Sequence, residues 1–183
     1  YKGKKEIKSQ NLIYITSNKN ISANTNISIK DSLRTIYGDS LEIIYNQDII
    51  DFITIKSNAK LFNNRFIKYL ETNEQREIQD KMEANNIKIS FTLDETIENI
   101  LLNGMAIADF SMIKDSLLKG LNNISGDTIK IKFSNNLIQR MEIIGGVKGK
   151  FIPDKKNQEI SNEIFYEANT IDYKIENEKM LLN

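Results

Sequence analysis

The sequence contains neither cysteine nor histidine. This excludes thiol and imidazole nucleophiles, thiolate and imidazole metal ligands, and any disulfide framework. The absence of cysteine does not identify the redox compartment, because a chain of 183 residues can bury a sizeable core without disulfides. The chain also has only one proline and eight glycines. Asparagine is abundant and tolerates left-handed backbone, so we expect asparagine to form most of the turns.

Two further absences narrow the function. No apolar run approaches the roughly 20 residues of a membrane-spanning helix. Basic and acidic residues balance at 25 each, and the aromatic residues do not cluster with basic ones, so we expect no nucleic-acid partner.

The chain starts at Tyr1 without a signal-like segment. We therefore expect a mature or trimmed piece from which targeting information has been removed.

A short pattern recurs at near-constant spacing. It consists of a small residue, Asp or Asn, any residue, Ile or Leu, any residue, then Ile or Tyr. It reads GDSLEIIY from Gly38, ANNIKISF from Ala84, GDTIKIKF from Gly126 and ANTIDYKI from Ala168, with a degenerate copy, SQNLIYIT, from Ser9. Fixed-period self-similarity is typical of repeat architectures. The last copy ends in mid-repeat, so we expect the natural protein to continue.

Apolar residues alternate with polar ones within each copy and in the run that follows it. Alternation of β-branched and aromatic residues predicts strands with one buried face, and an Asn-rich turn between two such runs predicts a hairpin. We name the residues predicted to face inward the apolar stripe: Leu41, Ile43, Tyr45, Ile53, Ile55, Ile87, Ile89, Phe91, Ile100, Leu102, Ile129, Ile131, Phe133, Met141, Ile143, Ile171 and Tyr173.

The fold class predicted is all-β, with repeated hairpins sharing one core. The whole chain, 1–183, is predicted to be a single domain, with units near 9–29, 38–61, 84–108, 126–149 and 168–183. Each unit alone has too little core, so neighbours must share one, either in an open β-solenoid-like jelly roll or in a β-sandwich. Repetition in register favours the open, twisted jelly roll, whose end strands would be templates for another chain.

The pentapeptide IKDSL occurs at 29–33 and again at 113–117, between one unit and the next. Equivalent positions in a repeat should share a conformation, so we predict extended structure with a turn near Asp-Ser in both. A helix over 111–121 is the alternative. The charged linker 62–83 is predicted to hold one helical turn or a longer loop.

The repeated motifs resemble units of the OstA-like (LptA-like) lipopolysaccharide-transport family, either of its periplasmic proteins or of the OstA-like N-terminal domain of the outer-membrane lipopolysaccharide-assembly protein. The stretches that carry the resemblance are YGDSLEIIYNQDIIDFITIKSNAKL and SGDTIKIKFSNNLIQRMEIIGGVKGKF. The resemblance implies a twisted, V-shaped β-jelly roll in the periplasm, without catalysis, metal or cofactor. Its interior, here the apolar stripe, would hold the acyl chains of lipopolysaccharide or a related glycolipid. Its partners would be other OstA-like domains joined by edge-strand pairing, including an end-to-end homo-oligomer.

Other interpretations stay open. Any β-stack needs an apolar stripe for its core, so alternation alone does not separate core from lipid slot. A purely structural β-repeat of a surface or adhesin-type protein, binding protein or glycan, is the alternative function. An enzyme of the pectin-lyase-like β-helix type is disfavoured by the missing histidine and by the few unpaired acidic residues.

Polar residues in and near the motif have structural explanations as well. Asp39 and Asp127 could be paired as general acid and base, but Asn85 and Asn169 occupy the equivalent positions and cannot titrate. We therefore predict hydrogen bonding by these side chains at a turn or strand start.

The glycine-rich segment 145–149 could be a phosphate loop, but a strand kink or bulge is the better interpretation. Lys148 and Lys150 would either meet lipid phosphates at the mouth of a groove or protect a solvated edge strand.

Overall fold

The computed structural model describes residues 6–15, 17, 19–46, 48–68, 75–114, 117–134, 137–154, 162–174 and 179–182. These residues form eleven strands: β1 Glu6–Lys8, β2 Asn11–Ile15, β3 Asn20–Lys30, β4 Arg34–Asn46, β5 Ile49–Lys68, β6 Gln75–Phe91, β7 Ile97–Lys114, β8 Leu117–Ser134, β9 Leu137–Pro153, β10 Ile164–Lys174 and β11 Lys179–Leu182. Within this part of the chain there is no helix, and so none that could cross a membrane.

All eleven strands belong to one antiparallel sheet. From β3 to β11 each strand pairs with the next along the chain, while β1 and β2 both pair with β3, at opposite ends of it. The sheet does not close into a barrel, and the prediction of an open all-β fold is confirmed. Each predicted unit lies on two adjacent antiparallel strands, for example 38–61 on β4 and β5.

A line of bulges crosses the sheet near its middle, and we name it the corner. On four alternate strands, β3, β5, β7 and β9, two consecutive residues have positive φ: Thr25 and Asn26, Ser57 and Asn58, Gly104 and Met105, Gly145 and Gly146. The pairing register shifts at the corner between every two neighbouring strands from β3 to β10. Two left-handed residues in succession bend a strand sharply.

The repeated motif forms the other side of this corner. Its small residue and its Asp or Asn lie in mid-strand, beside the left-handed pair of the next strand, so the predicted strand start is wrong. The carboxylate of Asp39 accepts a hydrogen bond from Asn58 Nδ2 at 2.8 Å. A Cβ on Gly126 would lie 2.8 Å from Ile143 Cγ2, and one on Gly38 would collide with Ile55. At Gly38 and Gly126 the motif has no room for a side chain, because an isoleucine of the next strand covers the glycine at the bend.

The corner divides the sheet into two halves whose inner faces cover each other. Arg34 lies at the start of β4 and Phe91 at the end of β6, on opposite sides of the corner, yet the guanidinium carbon is 6.0 Å from the centre of the ring. Residues of the inner face from both halves form one continuous core. No helix is needed to cover this face, because the sheet folds over onto itself.

The two IKDSL segments join successive strands. In the first copy, Asp31 accepts hydrogen bonds from the backbone N–H groups of Leu33 at 2.8 Å and Arg34 at 2.7 Å, which closes the turn. In the second copy the flanking residues are strand on both sides, so the helix alternative for 111–121 is wrong there, while residues 115–116 lie outside the described part. The described residues of the charged linker 62–83 are strand, which contradicts the helical turn, and residues 69–74 lie outside the described part.

Charged side chains occupy the outer face. Lys148 and Lys150 lie on β9, which pairs with β8 and β10, so the edge-strand interpretation of these lysines is wrong. Lys148 is 3.9 Å from Glu167, and Lys150 is 2.9 Å from Glu163. The predicted bulge at 145–149 is present, with Gly145 and Gly146 in left-handed conformation.

Candidate functional site

The apolar stripe lies on the inner face, as the alternation indicates. Fifteen of its seventeen residues are buried, and Tyr45 and Phe91 are partly buried against the same core. The cross-strand register places the stripe in rows that run from strand to strand. One row contains Leu41, Ile55, Ile87, Leu102, Ile129, Ile143 and Ile171, and the next contains Ile43, Ile53, Ile89, Ile100, Ile131, Met141 and Tyr173.

The inner face of the other half is different. Directly across the corner it has a row of small residues: Gly38, Ala59, Ala84, Ala106, Gly126, Val147 and Ala168. These leave space over which the long aliphatic side chains of the first row can lie. The next inward row of this half again has large buried side chains, namely Ile29, Ile36, Leu61, Met82 and Ile124. Both halves therefore contribute aliphatic groups to the interior, and each CH₂ group buried there contributes about 0.8 kcal/mol.

The aliphatic rows reach solvent at β2. Leu12 pairs with Ala23 and Tyr14 with Ile21, which places both side chains on the inner face. Both are about half exposed, as are Ile13 and Ile15 on the outer face of the same strand. The apolar interior therefore continues to an open edge that the stripe did not include.

Beyond the small-residue row the inner face contains polar groups. Asn122 is 2% exposed, and its Oδ1 accepts a hydrogen bond from the Tyr166 hydroxyl at 2.6 Å. Burial raises the pKa of Tyr166, and the hydrogen bond to Asn122 opposes this rise. The ring lies against Gly149, where a Cβ would collide with it.

An ion pair lies on the same face between β5 and β6. Asp80 is 1% exposed, and its carboxylate is 2.6 Å from Arg65 Nε and 2.7 Å from Arg65 Nη2. Asp80 Oδ1 also accepts from the backbone N–H of Ser111 at 3.1 Å, and Arg65 Nη2 donates to the Ser111 carbonyl at 3.1 Å. The two opposite charges therefore lie in direct contact and bond both backbone groups of Ser111, while Arg65 Nε makes no hydrogen bond despite its short distance to the carboxylate.

These polar residues were not identified from the sequence. Asp80 continues the inward alternation of β6, between Ile78 and Met82, so the period-two pattern could have identified it. The interpretation of residues 62–83 as a charged linker missed this alternation. Asn122 directly follows the segment 111–121, for which no inward face was predicted.

The geometry favours binding of apolar groups over acid–base chemistry. Among the described residues there is no cluster of three or more acidic side chains that could hold a metal ion. Asp39 and Asp127 are exposed at the corner, each beside a left-handed pair on the neighbouring strand. Burial raises the pKa of Tyr45 as it does that of Tyr166, so both phenols stay protonated at neutral pH.

Comparison with known proteins gives a fold-level match. No family model matches the chain, and no curated protein matches its sequence. Among solved structures, it is similar to LptH from Pseudomonas aeruginosa, described as the LptA-homologous periplasmic component of the conserved lipopolysaccharide transport device. The TM-score is 0.54 at 8% sequence identity, over 89% of this chain and 94% of LptH. At this identity the similarity concerns the fold, and the chain has an LptA-like β-jelly-roll fold.

Proposed function

We propose that this protein is a non-enzymatic carrier module that holds the acyl chains of lipopolysaccharide or a related glycolipid in its folded-over interior. The observation that carries the proposal is the pair of unbroken aliphatic rows that cross the sheet and emerge at β2. The LptA-like fold supports it, because LptH is a component of a lipopolysaccharide transport device. The site of action would then be the periplasm.

The apolar stripe would be the binding surface. A linear alkyl chain could lie along the two aliphatic rows, which run from strand to strand across the inner face. In the free protein these residues are buried against each other, so binding would require the two half-sheets to part. Burial of several CH₂ groups of the ligand, at about 0.8 kcal/mol each, would offset the weaker packing between the parted half-sheets.

The proposed partners are other domains of the same fold, joined by strand pairing at the sheet edges. Strand β2 presents an open edge with exposed apolar side chains on both faces. A strand from a second domain would complete the ladder and continue the aliphatic rows into the next interior. This geometry supports a bridge of successive domains, including copies of this chain.

Photo-crosslinking tests the carrier function. A benzoylphenylalanine at Ile131, which is buried, should crosslink to lipopolysaccharide, whereas one at the adjacent, exposed Lys130 should not. Ile89 and Lys88 form a second matched pair on β6. Crosslinks only from the lysine positions, or none at all, would contradict the proposal and favour a structural β-repeat that binds protein or glycan.

A further inference from the structure

Strands β6 and β7 are paired next to the turn that joins them but separate towards their far ends, and we name this separation the fork. Their pairing ends at Lys81 and Asp109. Beyond this point, within the described residues, β6 pairs only with β5 as far as Gln75, and β7 pairs only with β8 as far as Lys114. The fork therefore lies between two strand pairs, β5–β6 and β7–β8, each of which keeps its own backbone hydrogen bonds among the described residues.

Neighbouring strands elsewhere at this end of the sheet stay joined. Backbone hydrogen bonds continue past the last paired residues between β4 and β5, where Asn64 N–H donates to the Leu33 carbonyl at 2.8 Å. The same holds between β8 and β9, where Asp154 N–H donates to the Lys119 carbonyl at 2.9 Å. The fork is thus a local feature of the sheet.

The ion pair of Arg65 and Asp80 lies at the base of the fork and connects its two sides. Both of its side chains belong to the β5–β6 hairpin, and both bind the backbone of Ser111 on the β7–β8 hairpin. Side chains thus replace backbone pairing at the first position where that pairing is missing. Such a connection can open without breaking any strand ladder, since each hairpin keeps its own hydrogen bonds.

The walls of the fork lead to the core. Ile78 on β6 and Phe110 on β7 flank the ion pair along their strands, and both are buried. Opening the fork would therefore expose an apolar passage from the surface to the small-residue row.

We propose that the fork is a side entrance to the interior through which an alkyl chain enters, and that the Arg65–Asp80 pair is its latch. This inference rests on the proposed carrier function. It adds a route that does not depend on the open edge at β2. It predicts that the β5–β6 and β7–β8 hairpins move apart during uptake.

A covalent crosslink across the fork tests the entrance. The chain has no native cysteine, so Gln79→Cys and Ser111→Cys can be joined by a short bismaleimide. The control joins Gln79→Cys to Asn64→Cys, its registered partner within the β5–β6 hairpin. The probe is cis-parinaric acid, an 18-carbon fatty acid whose fluorescence rises in an apolar site, mixed with the protein by stopped flow.

The crosslink across the fork should slow association of the probe at least tenfold, while the control crosslink should change it less than twofold. An equal rate in both crosslinked proteins would overturn the side entrance and leave the carrier function standing. No uptake by the unmodified protein would overturn both proposals.

The latch has a separate readout. Asp80→Ala removes the acceptor of the Ser111 amide, so it should raise the hydrogen–deuterium exchange rate of that amide at least tenfold and speed uptake of the probe, with little effect on the Ala108 amide in the paired region. Unchanged exchange at Ser111 in a folded Asp80→Ala protein would overturn the latch. The crosslinking experiment remains decisive for the entrance if this variant does not fold.

Discussion

Tyr166 and Asn122 form a polar contact on an inner face whose other buried residues are mostly apolar. The hydroxyl donates to the Asn122 side chain at 2.6 Å, and the ring covers Gly149. A glycine opposite an aromatic ring leaves the space that the ring fills, which explains why a side chain is absent from this inward position of β9. The pair fixes the orientation of Tyr166 on the inner face.

Replacement of Tyr166 by phenylalanine should lower the free energy of unfolding by about 1–3 kcal/mol, because the buried Asn122 oxygen loses its donor. Burial raises the pKa of Tyr166 in the folded state above the ordinary value of 10.0. Its stabilising contribution is thus fully present below about pH 10 and is lost as the pH rises through the folded-state pKa. Urea unfolding between pH 8 and pH 11 should show a steeper loss of stability in the wild type than in Tyr166→Phe.

The double variant Tyr166→Phe with Asn122→Leu is the matched control. Removing both partners leaves no unsatisfied oxygen, so the double variant should recover part of the stability that the single variant loses. Parallel pH profiles for wild type and Tyr166→Phe would show that the tyrosine ionises equally in both states and would contradict the prediction.

At the scale of the strands, the corner is the feature that defines the fold. The second residue of each left-handed pair is Asn26, Asn58, Met105 or Gly146. Asparagine and glycine tolerate this conformation, whereas other residues lose about 1–2 kcal/mol in it. Met105 is the exception, and its side chain is 74% exposed, so packing does not offset its backbone strain.

Met105→Gly should therefore raise the free energy of unfolding by about 0.5–1 kcal/mol, since relief of strain exceeds the entropy that glycine adds to the unfolded chain. The control is Ile107→Gly, two residues along the same strand, which is also exposed but is not left-handed. That variant should lose stability. The comparison requires urea unfolding with unchanged m-values, and a destabilised Met105→Gly protein would contradict the strain at the corner.

The sequence predicted the strands better than it predicted the corner. Period-two alternation identified the inward faces of β4 to β10, because burial of one face of a sheet imposes that period on the side chains. It did not show that Asp39 lies in mid-strand, because Gly-Asp and Asn-rich segments are equally typical of turns. It also could not show which halves face each other, since the contact of Arg34 with Phe91 depends on the angle of the bend.

At the scale of the whole molecule, the sheet is open, and its edge strand β2 differs from its central strands in the charge of its side chains. The outer face of the central strands has cross-strand ion pairs, such as Lys130 with Glu142 at 3.2 Å and Arg140 with Asp172 at 2.7 Å. The hydrogen bond to Arg140 lowers the pKa of Asp172. Strand β2 has no charged residue between Asn11 and Ile15. Charged residues discourage pairing at a sheet edge, so β2 lacks the usual protection against another strand.

We expect the purified protein to associate end to end through β2. The double variant Ile13→Lys with Ile15→Lys should weaken this association at least tenfold. Both side chains are exposed on the outer face of the edge strand, so the substitutions add charge to the edge without entering the core. Sedimentation velocity over a range of concentrations measures the effect. The control is Leu93→Lys, an exposed change in the turn between β6 and β7, which should leave association unchanged. A wild type that stays monomeric, or equal association of the β2 variant, would contradict pairing at this edge.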